Sequence, residues 1–303
     1  MRITLMKCLV CGSEKIIIRP TKMSDFLVAR IFGDEEAAKE HPVNLCHCEE
    51  CSFSFYDRRL TDDESGRLYE EYRRDEYQKI RERYDCWYTK KVNDALNHEK
   101  VALSEQKRII MKIIRENVPV DIKVALDYGG NCGETFTEQI GTDEKYVYDI
   151  SGVDINAEGI KRITDYKELL HRQFDFIMCN MTLEHISWPK EFMKLLYDIG
   201  MDKTYYYLEV PCENPFERDK FSLMKNLKLF FNPLYGKVRL VKHYFNLKKQ
   251  PYMPMSEHIN FFTPKALRML VSCCGFDVID VQENYEKSVL GKNNDVVSGV
   301  SEK

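Results

Sequence analysis

Long apolar runs are missing from this chain: no stretch of 18 or more apolar residues offers a membrane-spanning helix. An excess of positive charge is missing too. The net charge of −4 gives no overall reason to expect nucleic acid as partner. The beginning, "MRITLMKCLVCGSEK", lacks the apolar core and small-residue cleavage site of a secretion signal, so a cytoplasmic location is expected. No internal repeat is present. What is plentiful points to a globular enzyme-sized protein. Apolar residues make up 44% and charged residues 31% of 303 positions, enough for a core, a polar surface, and an accessory module beside a larger domain.

The 11 cysteines are odd in number and scattered, which suits metal binding in a reducing compartment better than a disulfide framework. Cys8 and Cys11 form one C-x-x-C, followed by Gly12; Cys48 and Cys51 form another, with Cys46 and His47 just before it. Two such knuckles close a four-thiolate tetrahedral site with no open position, hence a structural Zn2+. Cys46 or His47 is an alternative ligand. Reduced cysteines that merely pack are the competing reading. Residues 1–60 are therefore expected to form a small zinc-binding domain, whose metal contributes folding free energy.

A helical connector is expected over 61–118. It opens with Thr61 and Glu64 in capping-box spacing and is dense in tyrosine (Tyr69, Tyr72, Tyr77, Tyr84), as a pocket wall or an interdomain cover would be. From 119 to 283 strands and helices alternate, the pattern of a parallel α/β sheet. Strands are expected at 123–128, 145–150, 174–179, 204–210 and 276–282. Helices are expected near 133–140, 157–170, 189–198 and 264–274. Residues 284–303 read as a loose tail. An insert at 214–256 is basic and aromatic, with nine Lys/Arg against one Asp between Arg218 and Lys249. It suits a lid over an anionic substrate, with a plain apolar cover or a nucleic-acid or membrane contact as alternatives.

The stretch "VALDYGGNCGETF" (124–136) runs from a strand into a glycine-rich turn. Gly129, Gly130 and Gly133 let the backbone turn sharply and approach a ligand, and Asn131 tolerates a left-handed conformation. Asp127 precedes the turn. A carboxylate there repels a diphosphate and attracts an ammonium group, so the cofactor is expected to carry an amino acid.

These residues resemble motif I of class I S-adenosylmethionine-dependent methyltransferases, with Asn131 in place of the middle glycine. The resemblance implies a Rossmann-like α/β sheet. It also implies an acid after the second strand for the ribose hydroxyls, Asp149 or alternatively Asp154. Asp165 would serve the adenine amino group, and Asn180 and Met181 would lie along the adenosine and methionine moiety. The order of zinc domain, tyrosine-rich helix, sheet and "SEHINFFTPKALRMLVSCCGF" is similar to bacterial sugar C-methyltransferases and surface-glycan methyltransferases over roughly residues 5–283. In those enzymes a histidine in a Glu-His pair is the base that forms an enolate. Glu257-His258 matches that pair, with Glu257 orienting the ring, and His185 matches a second active-site histidine. Met255 stands where those enzymes carry a tyrosine. The implied substrate is a small molecule, phosphorylated or nucleotide-linked. Structural roles for the two histidines are the alternatives at the level of residues. At the level of function they are an RNA base methyltransferase, whose Asn/Asp-Pro-Pro-Tyr motif is absent, and a non-catalytic zinc-containing scaffold with a decayed cofactor site.

Overall fold

The structure is a computed structural model. It describes residues 7–302 apart from 86, 99, 138–139, 156, 214, 217–252 and 288–292. Nearly all of the basic insert thus lies outside the described residues, as does Tyr252.

The larger sheet carries the function. Its strands are β4 (Val124–Tyr128), β5 (Glu144–Tyr148), β6 (Ile160–Ile163), β7 (Phe176–Asn180), β8 (Tyr205–Pro211), β10 (Asp277–Lys287) and β11 (Asn293–Glu302), in the order β10-β11-β8-β7-β4-β5-β6. Strands β6, β5, β4, β7 and β8 run parallel, and β11 and β10 are antiparallel. The order reverses at β4, which has β5 on one side and β7 on the other. The carboxyl ends of β4, β5 and β7 therefore open the crevice where α/β sheets bind ligands. β7 is buried along its whole length, as a strand covered on both faces should be. α8 (Pro189–Ile199) lays Phe192, Met193, Leu196 and Ile199 on one side of the sheet. α6 (Lys100–Asn117) lays Ile109, Ile110, Ile113 and Ile114 on the other.

The smaller sheet is β1 (Ile16–Lys22), β2 (Pro42–Cys48), β3 (Ser54–Tyr56) and β9 (Asn260–Phe261), all antiparallel in that order. α1 (Asp25–Phe32) and α2 (Asp34–Ala37) fill the long gap between the cysteine pairs. The fourth strand comes from the far end of the chain, so the expected 1–60 module is completed by residues 260–261. The two units share one apolar cluster, in which Phe53 and Phe55 join Leu126, Ile177 and Leu208.

Arg59 is the polar rivet of that junction. It is buried, and its guanidinium donates to the carbonyls of Tyr56, Ile186, Ser187 and Ile259 and to Asn260 Oδ1, at 2.7–3.3 Å. Burial holds its pKa down at about 9, against the pull of Cys46 and Asp57. Removing the donors leaves several buried carbonyls unmatched, each worth about 1–3 kcal/mol. Arg59→Met is expected to lose on the order of 3–5 kcal/mol, read as a lower denaturant midpoint. An unchanged midpoint would mean water replaces the guanidinium.

The helical connector forms α3 (Asp62–Tyr69), α4 (Asp75–Tyr84) and α5 (Lys90–His98) ahead of α6. The expected capping box is present: Glu64 N–H donates to Thr61 Oγ1 (3.2 Å) and Thr61 N–H to Glu64 Oε2 (2.9 Å).

Three expectations fail. Residues 131–137 form tight turns, with no helix at 133–140 among the described residues. Gly133 is left-handed (φ +79°), and the Thr135 hydroxyl is drawn back to Asp127. The expected helix at 157–170 is instead β6, pairing with β5 from Lys145↔Ile160 to Tyr148↔Ile163, and the short α7 (Tyr166–Leu169). Gly159, at φ +77°, bars a helix from starting there. The tail is not loose: β11 inserts between β8 and β10 and supplies both with ladder hydrogen bonds. α9 (Pro264–Cys273) completes the fold, capped by the Thr263 hydroxyl.

Candidate active site

The glycine turn is shaped by what presses on it. A Cβ on Gly129 would lie 2.2 Å from Thr182 Oγ1, and one on Gly130 would lie 2.4 Å from Asp127 Cγ. Asn131 is left-handed at φ +50°. Its N–H donates to Asp149 Oδ2 (2.8 Å), while Ser151 N–H donates to Asp149 Oδ1 (2.7 Å). Asp149 thus clamps the turn after β4 to the turn after β5. Each of its oxygens keeps a further lone pair for a ligand hydroxyl. Asp154 is exposed farther along the same loop. Asp165 follows β6, is exposed, and caps α7 by accepting from Lys167 N–H (2.9 Å).

Asp127 lies beneath Gly130, fully buried. The Thr135 hydroxyl donates to Oδ2, and Oδ1 has no partner among the described residues. Burial pushes its pKa up to about 7, with Thr135 opposing and Asp149 adding to the rise. A cation brought to this orphaned oxygen would restore its charge. Asn180 ends β7, and Met181 follows in a left-handed conformation (φ +50°). Gln106 Nε2 donates to Asn180 Oδ1 (3.3 Å) and to the buried Glu209 Oε1 (3.0 Å). Met181 N–H donates to the Glu209 carbonyl (2.9 Å). Sequence reading missed Gln106 and Glu209, since nothing local marks a helix side chain that reaches two strand ends.

Next to this cradle the segments 183–186 and 257–260 lie side by side. Ile259 N–H donates to the Glu184 carbonyl (2.9 Å), and Asn260 Nδ2 to the carbonyls of Leu183 and Ile186. This pairing sets the His185 and His258 rings 4.9 Å apart, edge to face. His185 Nδ1 lies 3.0 Å from the Glu257 carbonyl and 2.8 Å from Tyr69 Oη. A carbonyl only accepts, so Nδ1 carries the proton and Nε2 offers the lone pair. Nε2 is 3.7 Å from Glu184 Oε1. Burial, then the neighbouring His258, lowers the His185 pKa to about 4.

His258 is shifted the other way. Burial pulls it down, but a 3.1 Å hydrogen bond to Glu213 Oε2 and the charges of Glu213, Glu184 and Glu257 outweigh that and raise it to about 9. Here the structure corrects an expectation. Glu257 does not orient His258; its carboxylate is taken by the Tyr77 hydroxyl and by Arg81 Nη1. Burial opposes ionisation of Glu257, but Arg81, Tyr77 and His185 prevail and hold its pKa near 2. Adjacent residues on an extended segment point apart, so Glu257 and His258 face different neighbours. Glu213, just past β8, is the partner that sequence reading did not find. Tyr69, Tyr72 and Tyr77 pack ring against ring in a row that starts at His185, whereas Tyr84 turns outward to Asp34. The result is a neutral imidazole able to take a proton beside a cationic one able to hold developing negative charge, the separation that acid–base sites use.

The sulfurs of Cys8, Cys11, Cys48 and Cys51 all lie within 4.8 Å of one another. Cys8–Cys51 and Cys11–Cys48 are 3.6 and 3.5 Å apart. Tetrahedral zinc, with bonds of about 2.3 Å, needs sulfurs about 3.8 Å apart, so the donor set fits the ion. Both knuckles turn alike. Gly12 N–H donates to the Cys8 carbonyl and Ser52 N–H to the Cys48 carbonyl, and Gly12 (φ +74°) and Ser52 (φ +61°) are both left-handed. Cys46 and His47 stand apart: Cys46 faces the Asn44 carbonyl, and His47 Nδ1 lies 2.8 Å from Ser54 Oγ.

Residues 69–281 match the family model described as a methyltransferase domain. No curated protein matches the chain. Among solved structures, magnesium protoporphyrin IX methyltransferase from Synechocystis PCC 6803 with bound SAH is 12% identical. The match covers 69% of this chain and 86% of that one at a TM-score of 0.43. Burkholderia thailandensis 1,6-didemethyltoxoflavin-N1-methyltransferase is 13% identical, covering 67% and 80% at 0.42. A SAM-dependent methyltransferase from Aquifex aeolicus is 15% identical, covering 65% and 97% at 0.39.

Proposed function

The chain belongs to the methyltransferase-domain family, and we propose that it transfers a methyl group from S-adenosylmethionine to a small metabolite, a nucleotide-linked sugar or surface-glycan precursor, at an acceptor atom whose proton must be removed. The observation that carries this reading is the pair of adjacent histidines with opposed pKa shifts beside a glycine-turn cradle. S-adenosylmethionine supplies an electrophilic methyl on a good leaving group.

The chain's own residues do the rest. Asp149 would take the ribose hydroxyls and Asp165 the adenine. Gly129, Gly130, Asn131 and Gly133 let the backbone come close, and Asn180 and Met181 border the far side. Asp127, with its orphaned oxygen, suits the ammonium end. His185 Nε2 accepts the acceptor's proton, and the charged His258, held by Glu213, faces the oxygen on which negative charge develops. Glu257 steadies His185 through its carbonyl and neutralises Arg81 through its carboxylate. The four cysteines would hold a structural Zn2+ that fixes the small sheet.

Titration of purified, metal-loaded protein with S-adenosylmethionine in a calorimeter tests the cofactor half. Asp149→Ala is expected to weaken that binding about 10- to 100-fold, the cost of losing charged hydrogen bonds of about 1.5–3 kcal/mol, with the far-UV circular dichroism unchanged. Undiminished affinity would remove Asp149 from the cofactor site. Incubation with metabolite extracts then seeks a product heavier by one methyl group.

A further inference from the structure

Among the described residues, the other guanidinium groups near the histidines face carboxylates or several carbonyls, and Arg73 does not. Arg81 meets Glu257 and Asp85, each at 2.5 Å. Arg59 spends its donors on five acceptors. Arg30 closes the end of α3 through the carbonyls of Leu68 and Glu70. Among the described residues Arg73 reaches one backbone acceptor, from Nη1 to the Leu96 carbonyl at a long 3.4 Å, beside its contact with the neighbouring Tyr72. It has no carboxylate within ion-pair distance among the described residues, although it is partly buried. A guanidinium carries five N–H donors, and leaving its charge unpaired away from bulk water is costly.

Its position is equally pointed. The guanidinium lies 4.8 Å over the Tyr72 ring; Tyr72 packs on Tyr69, and Tyr69 Oη is 2.8 Å from His185 Nδ1. Its charge is one of those acting on both His185 and Glu257. The backbone is held where an arginine does not go by preference. Glu71 and Arg73 are both left-handed, at φ +49° and +59°. Such conformations cost on the order of 1–3 kcal/mol and persist where the surroundings enforce them, often at ligand clamps. Here α5 enforces it: Asn93 Nδ2 (3.1 Å) and Asn97 Nδ2 (3.3 Å) both donate to the Arg73 carbonyl. The Tyr88 hydroxyl in turn fixes Asn93 through Oδ1 (2.7 Å).

We propose that Arg73 anchors an oxyanion of the methyl acceptor, a phosphate or a carboxylate, through its guanidinium fork. This rests on the reading of the histidine chamber as the acceptor site, and it assigns that acceptor a negative group on the Tyr72 side. The fork suits either anion, since both present two oxygens to parallel N–H donors.

The test is calorimetric, at low ionic strength, on full-length protein saturated with S-adenosylhomocysteine. Inorganic pyrophosphate and succinate are titrated separately into wild type, Arg73→Gln and Arg73→Lys. Wild type is expected to bind at least one of the two ions, and which one binds tells phosphate from carboxylate. Arg73→Gln is expected to weaken that binding at least about tenfold, the loss of a charge-assisted hydrogen bond. Arg73→Lys should fall between, keeping the charge without the fork. S-adenosylhomocysteine affinity should stay the same in all three, showing that the fold and cradle are intact. Binding of neither ion to wild type, or equal binding to Arg73→Gln, overturns the anchor. Failure of S-adenosylhomocysteine itself to bind wild type would sink the cofactor reading instead, and the anion titration on the free protein would still decide Arg73.

Discussion

Replacing His185 with alanine is expected to cut kcat by about 10²–10⁴-fold, the contribution of a positioned base, and to leave S-adenosylmethionine affinity nearly unchanged. The separation follows from geometry. The ring bonds to the Glu257 carbonyl and Tyr69, both outside the glycine-turn cradle. The pH profile gives the same assignment a sign. His185 is neutral, and so able to accept a proton, above about pH 4; His258 is charged below about pH 9. kcat/KM should therefore rise as pH climbs through the first value and fall as it climbs through the second. His258→Ala should lower turnover and erase the upper limb, while Glu213→Gln should move that limb to lower pH. Activity that instead rises through pH 9 would make His258 the base, as the Glu-His pairing in the sequence suggested.

With the proposed zinc on the four cysteines, Cys48→Ser should release that metal and loosen the small sheet with it. The four sulfurs sit in the same apolar cluster as Phe53, Phe55 and the strands of the large sheet. Structural zinc sites bind with apparent free energies of about 10–16 kcal/mol at neutral pH, much of it coupled to folding. A loss of at least about 3 kcal/mol is expected, with a melting temperature lower by at least roughly 5 °C for a chain of this size. Excess chelator should do the same to wild type, with about one zinc per chain appearing in a colorimetric assay. Cys46→Ser should leave zinc content unchanged. A Cys48→Ser protein that melts like wild type and keeps its metal would show that the thiols only pack.

Short-range features of the sequence were legible where the physics is local. Thr61 and Glu64 cap their helix because a capping box needs only its own four residues. Asn131 takes the left-handed conformation its type tolerates. Asp149 sits where an apolar strand must end. At 133–140 and 157–170 the strand–helix alternation called for helices, but left-handed Gly133 and Gly159, and at 160–163 a strand partner, outweighed it.

Sequence alone therefore determined the knuckles, the glycine turn, the α/β alternation and the presence of two histidines, all set by residue type and spacing. Tertiary structure decided what each group meets. It took β9 from residues 260–261 to finish the N-terminal sheet and gave Glu257 to Arg81 and Tyr77. It brought Glu213 to His258, and among the described residues it paired Arg73 with no acid. The ionisation of a buried group depends on neighbours that are distant in sequence. Glu213 and His258 lie 45 positions apart, and no local pattern encodes that meeting.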